Sequence, residues 1–222
     1  MRKKAILDIG METLFLLQMA YHLIDPALHE RLGLLLFVLL ILHNILDRKW
    51  YTKFVRGTYT AKRILNSIIN LSLLFSCLGL VLSAAFLSPA ILNIFHLKAV
   101  LLGRKLHMAF TVWSFILMSI HMGSHWNMIA GTIKKRLDPL RWYPAAIKII
   151  GTLLSAYGAY SFWIRGFPQR MFLRTKYVFF DYNESLLACF GSHIAIQCFI
   201  VCFVYCVMSV RTVLWSRFKN GV

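Results

Sequence analysis

From Ile64 to Leu87 the chain carries no charged residue, and from Leu32 to Leu42 it reads LGLLLFVLLIL. In hydrocarbon a backbone amide finds no water, so stretches of this length fold only as α-helices or as strands of closed barrels. The apolar residues here run without alternation, which selects the helix. Across 222 residues 59% are hydrophobic and 15% are charged, values outside the range of soluble domains. The reading is an all-α, polytopic transmembrane bundle forming one domain, 1–222. About six spanning helices are expected, near 5–24, 26–47, 64–87, 104–131, 144–164 and 185–210, with no internal duplication.

Local signals place the helix ends. Met1-Arg2-Lys3-Lys4 precedes an apolar segment with no small-residue cleavage site, so the first helix is read as retained. Asp25-Pro26 supplies an N-cap and a first-turn proline for the second, and Ser88-Pro89 closes the third. Gly151 and Gly158 suit close packing of the fifth. The loop 48–63, basic and aromatic, suits a membrane interface.

The net charge of +17 raises the question of nucleic acid, but the Lys and Arg residues fall between apolar blocks and act as topology signals. The N-terminus, the 48–63 loop, the fourth connection and the tail hold 17 of the 25, which predicts both termini in the cytoplasm. None of the five cysteines stands in a Cys-x-x-Cys motif, so neither a zinc knuckle nor covalently attached haem is indicated. Cys198, Cys202 and Cys206 are read as small packing side chains.

Two histidine pairs carry the chemistry. His29 and His43 lie 14 residues apart in one apolar stretch, and His107 and His121 lie 14 apart in another. Fourteen helical residues climb about 21 Å and bring both rings to one face. With both helices descending from outside to inside, His29 and His107 share an outer level and His43 and His121 an inner one. Two haems held noncovalently within a four-helix core, one at each level, would use these four as iron ligands. Buried ionisable groups in a bilayer are costly and usually functional, which favours this over four structural histidines. A zinc or copper site would want three or four converging ligands, whereas these divide between two levels.

Other residues join the expected site. His125, one turn beyond His121, and His22, at the outer level, can each replace a neighbour as ligand or bond a propionate or quinone carbonyl, and the alternatives stay open. Arg31, Arg104 and Lys105 are placed for propionates on the outer side. Gly33 suits close approach of a flat macrocycle or of another helix. Asp8 and Glu12, one turn apart on the first helix, suit either proton chemistry or pairing with nearby basic groups, and His96 is read as interfacial.

The runs HERLGLLLFVLLILHNIL with RKWY, then GRKLHMAFTVWSFILMSIHMGSHW and FLRTKYVFFDYNES, resemble the flavinylation-associated cytochromes, formerly a domain of unknown function. The likeness covers the chain from Tyr21 to about Ser185. Asp47 departs from it, standing where asparagine is common. The 14-residue spacing alone is also similar to that of the cytochrome b subunits of quinol:cytochrome c reductases. The resemblance implies a multi-haem b-type cytochrome of the prokaryotic cytoplasmic (inner) membrane, with His29, His43, His107, His121 and His125 on the family's histidine positions and His22 on a less regular one. It further implies electron transfer between menaquinone, another quinone or a cytoplasmic reductant and an extracytoplasmic, flavin-bearing redox partner. Such a chain is a component of an oxidoreductase system rather than a stand-alone enzyme. The competing expectations are a non-catalytic membrane anchor of a larger redox complex and a metal or ion transporter using the histidines. Sequence gives no oligomeric state.

Overall fold

The computed structural model describes residues 2–54, 56, 58–88, 97–137, 143–174 and 180–220, and these contain helices and no strands. In chain order they form α1 (Arg2–Met19), a 3-10 turn (Tyr21–Leu23), α2 (Pro26–Leu46), α3 (Arg48–Phe54) and α4 (Ala61–Ala85). There follow α5 (Leu97–Ser124), α6 (Trp126–Leu137), α7 (Tyr143–Ile164), α8 (Phe167–Met171) and α9 (Leu186–Asn220). His96 lies outside the described residues.

Among the described residues four helices are long and apolar enough to cross a membrane: α2, α4, most of α5 and α9 through Ser209. Their outward faces carry Leu34, Val38, Phe75, Leu82 and Phe203, all more than half exposed, which suits a lipid bilayer rather than water. Of the remaining two expected spans, α1 is interrupted by Arg2, Lys3, Lys4, Asp8 and Glu12, and α7 is diluted by Lys148 and by Tyr, Ser and Gly.

Local chemistry sets the boundaries. The Asp25 carboxylate accepts from the Ala27 and Leu28 amides at 2.9 and 3.1 Å, and Pro26 opens α2 as expected. Helix α4 starts at Ala61 rather than Ile64 because the Thr60 hydroxyl caps it, accepting from the Arg63 amide at 3.3 Å. The Arg63 guanidinium turns back to donate to the carbonyls of Lys53, Arg56 and Thr58, tying the end of α3 to the start of α4. The first helix ends at Met19 and hands over to the 3-10 turn, so His22 does not sit on it. The expected helix 104–131 divides at His125, whose amide turns toward both His121 and Met122 carbonyls at 3.3 and 3.1 Å.

The pairs that pack most closely are α4 with α5, α7 with α9, and α5 with α9, while α2 packs chiefly along α1. The core brings together Phe15, Leu16 and Met19 of α1, Val112, Phe115 and Ile116 of α5, Phe167 of α8, and Ile196 and Ile200 of α9. Phe115 is wholly buried and contacts the rings of Phe15 and Phe167. Polar links supplement this packing. Ser76 of α4 and Ser114 of α5 share a buried hydrogen bond of 2.9 Å, and Gln197 of α9 donates to Glu12 of α1.

Candidate functional site: a histidine-lined bundle

His29 sits in the first turn of α2, its amide bonded to the Asp25 carbonyl at 2.9 Å, so the cap that starts the helix also fixes this residue. His107 belongs to α5. Their rings come together across the gap between the two helices, with centroids 6.4 Å apart and planes at 77°. The tautomer of His107 follows from its surroundings. Its Nδ1 lies 3.3 Å from both the Leu80 carbonyl and the Ser83 hydroxyl. Ser83 already donates its own proton to Leu80 O at 2.9 Å, so both groups are acceptors and Nδ1 carries the hydrogen. The Nε2 lone pair is thereby left for a ligand, the arrangement by which backbone carbonyls orient metal-binding imidazoles.

The opposing ring has a buried Nδ1 with no hydrogen-bond partner. Two imidazoles on opposite sides of one metal, with bonds of about 2 Å, have ring centres about 6 Å apart. The His29–His107 separation fits that arrangement, and the orphaned nitrogen is a polar group that a ligand would satisfy.

The inner level is arranged differently. His43 Nδ1 bonds Asp8 Oδ1 of α1 at 2.9 Å, and its Nε2 lies 3.8 Å from Asp47 Oδ2, one turn on. Lys4 also pairs with Asp47, so the two carboxylates and two bases close a network at this end of α1 and α2. His121 has His125 as its ring neighbour at 4.8 Å. Its Nδ1 is 2.8 Å from the Asn70 side-chain amide. With the amide oxygen turned to accept from Trp50 Nε1 at 3.2 Å, its nitrogen donates to Asn66 O and to His121 Nδ1. That orientation puts the ring proton on Nε2, and a metal taken there would require the amide to turn. His125 lies at the helix break, where burial holds its imidazole below the usual range and the nearby Lys62 charge adds to this.

Gly33 does not face open space. A side chain there would meet Gln18 Nε2 at 2.8 Å, and this same amide donates to the His29 carbonyl at 3.0 Å. The room expected for a macrocycle is therefore taken by α1, the close crossing that was the other reading of this glycine. Arg31, Arg104 and Lys105 are exposed, and the Arg104 charge acts on Tyr21. The Asp8–Glu12 pair separates, with Asp8 on His43 and Glu12 on Gln197.

A further group stands where α1 ends and α9 begins. The His22 side chain is 3% exposed, stacks on Phe180 at 4.7 Å, and reaches toward Glu184 rather than toward His29. Tyr21 stands between, its ring 5.9 Å from that of His29 and 5.0 Å from that of Phe180. Glu184 is paired with Arg165. Burial lowers the Arg170 guanidinium to about 10, with the Arg165 charge adding to the effect, and Arg170 lies over the Phe167 ring at 4.8 Å.

His193 of α9 was not singled out from sequence. It is buried, donates from Nδ1 to the Cys189 carbonyl at 2.8 Å, and faces Phe115 and Phe167. The signal that finds it is a polar stripe at helical spacing, Cys189, Ser192, His193 and Gln197, within the apolar stretch Leu186–Ser209 of that helix. Compared with family models, curated proteins and solved structures, the chain gives no match.

Proposed function

We propose that the chain is a b-type electron-transfer cytochrome of a membrane, holding haem noncovalently between histidine-bearing helices. In this reading α1 and α7 complete six spans, both termini face the cytoplasm of a prokaryote, and electrons pass between a quinone or cytoplasmic reductant and an extracytoplasmic redox partner. A flavin-bearing partner and membership of the flavinylation-associated cytochromes belong to the same proposal.

The observation that carries it is the meeting of His29 and His107 from two separate helices, one ring with its proton committed to Leu80 and Ser83 and the other with an unsatisfied nitrogen. Haem held by His29 and His107 would supply a one-electron couple, which suits outer-sphere transfer. The chain's own part is to hold the two imidazoles, exclude water with α1, α4 and α5, and fix the His107 tautomer through Ser83.

The test is the visible spectrum of the purified protein, oxidised and reduced, with a haem-to-protein ratio. Two haems per chain are expected, and His107→Leu removes one of them. A colourless protein refutes the proposal, and a His107→Leu variant retaining both haems refutes the outer pairing. A second reading, one haem per chain at the outer level, is favoured by the engagement of His43 with Asp8 and Asp47. It predicts a ratio of one and a His107→Leu variant without haem.

A further inference from the structure

We propose that His22, Glu184 and Cys189 form a site for a single zinc-class divalent cation, at the end of the bundle where α1 finishes and α9 starts. One ligand atom from each of the three lies within 4.8 Å of the other two. The donors differ in kind: an imidazole nitrogen, a carboxylate oxygen and a sulfur, the set from which zinc sites are drawn.

The surroundings favour a built site over a chance meeting of side chains. His22 is 3% exposed, Glu184 17%, and Cys189 is fully buried. The imidazole is clamped by stacking on Phe180, yet its Nδ1 is buried with no partner. A buried polar atom left unpaired is expensive, and a cation taken at that nitrogen would resolve it. Glu184 divides its two oxygens. Oε1 is held by Arg165, while Oε2 faces His22 Nε2 at 4.0 Å. Arg165 thus aims the free oxygen into the cluster, the role that outer partners play around metal ligands.

Separations of up to 4.8 Å need to close by at most about 1.5 Å to reach tetrahedral ligand spacing at bonds of about 2.0–2.3 Å. The cation would take the Cys189 thiolate, with the thiol proton released to solvent, and the free oxygen of Glu184, whose other oxygen stays on Arg165. Three protein donors leave a fourth position for water. Nothing in this site uses His29 or His107, so it stands or falls separately from haem binding.

The experiment takes the full chain purified in mild detergent with whatever haem it carries, treats it with a chelator, and dialyses it against Zn2+ alone. One zinc per chain is expected, with one sulfur at about 2.3 Å and lighter ligands at about 2.0 Å in the zinc-edge X-ray absorption of the wild-type protein. Cys189→Ser and Glu184→Gln weaken retention at least tenfold, and Cys198→Ser, one of the other α9 cysteines, leaves it unchanged. The wild-type absorption spectrum decides the matter even where a variant fails to fold. Absence of sulfur from that spectrum, undiminished zinc in folded Cys189→Ser, or equal loss in folded Cys198→Ser overturns the proposal. So does loss of a haem in His22→Gln, which would assign that imidazole to iron.

Discussion

Gly158 of α7 lies against the backbone of α9 at Ala195 and Ile196. A methyl group built on it meets the Ala195 carbonyl oxygen at 1.9 Å, the Ala195 carbon at 2.4 Å and the Ile196 nitrogen at 2.9 Å. Ordinary contact begins at 3.4 Å, so Gly158→Ala must drive the two helices apart by roughly 1.5 Å. No rotamer change relieves this, because the obstacle is main chain and both Ala195 and Ile196 are fully buried. Overpacking costs about 1–3 kcal/mol, and a clash with backbone puts this substitution at the upper end, near 3 kcal/mol. Gly151, two turns earlier on the same helix, has nothing within 4 Å of the corresponding methyl. Gly151→Ala therefore gains about 1 kcal/mol of helix propensity without a clash. The assay is thermal unfolding in one detergent, followed by helical circular dichroism. At about 2–4 °C per kcal/mol for a chain of this length, Gly158→Ala melts roughly 6–12 °C below wild type, and Gly151→Ala melts no lower than wild type. Equal losses in the two variants would refute the close contact between α7 and α9.

Three further outcomes follow from the geometry. Replacing Ser76 and Ser114 by Ala singly and together gives a coupling of about 0.6–1.7 kcal/mol in a double-mutant cycle, and additivity would mean that their buried 2.9 Å bond contributes nothing. Asp25→Ala removes the cap of α2 and costs about 1 kcal/mol, measured by unfolding, while Asp25→Asn retains most of it. Burial holds His22 below its ordinary 6.5 against the opposing pull of Glu184, with Arg165, Asp181 and Arg170 also acting on it. Its neutral form is the one the fold favours, so its contribution is complete above about pH 6.5 and is lost progressively as the pH falls from there to the lowered value that the fold imposes. His22→Gln should flatten part of the decline in melting temperature below pH 6.5, and an unchanged slope would count against the buried imidazole.

Helix existence was legible because hydropathy and capping are local properties. Asp25-Pro26 marks the start of α2 to the residue, and Gly158 announces a close crossing. The start of α4 was hidden by Lys62 and Arg63, which read as loop although they occupy its first turn behind the Thr60 cap. The break at His125 has no proline to signal it. Among the site residues, the meeting of His29 and His107 was expected from two helices read as descending in the same direction, whereas the 14-residue spacing fixes only the depth of each ring along its own helix. It could not foretell that His43 turns to Asp8, since which neighbour a ring faces depends on the packing of α1 against α2. Gly33 left two readings open for the same reason: a gap in a helix surface does not state what fills it, and Gln18 of α1 does. The His22–Glu184–Cys189 group joins residues from opposite ends of the chain, and His193 has no counterpart 14 residues away.

None of the residues along α2 is buried, although the helix bears two of the key histidines. Interlocking side chains, Leu36 against the core among them, therefore hold this rod's turn about its own axis only in part. The rest of that azimuth falls to a few polar tethers: the Asp25 cap at one end, Gln18 on the His29 carbonyl, and the Asp8–His43–Asp47 group at the other. The lipid-facing positions Leu34, Leu35, Val38, Ile41, Leu42 and Ile45 can drift among apolar residues at little consequence. Loss of a single tether would swing both imidazoles together.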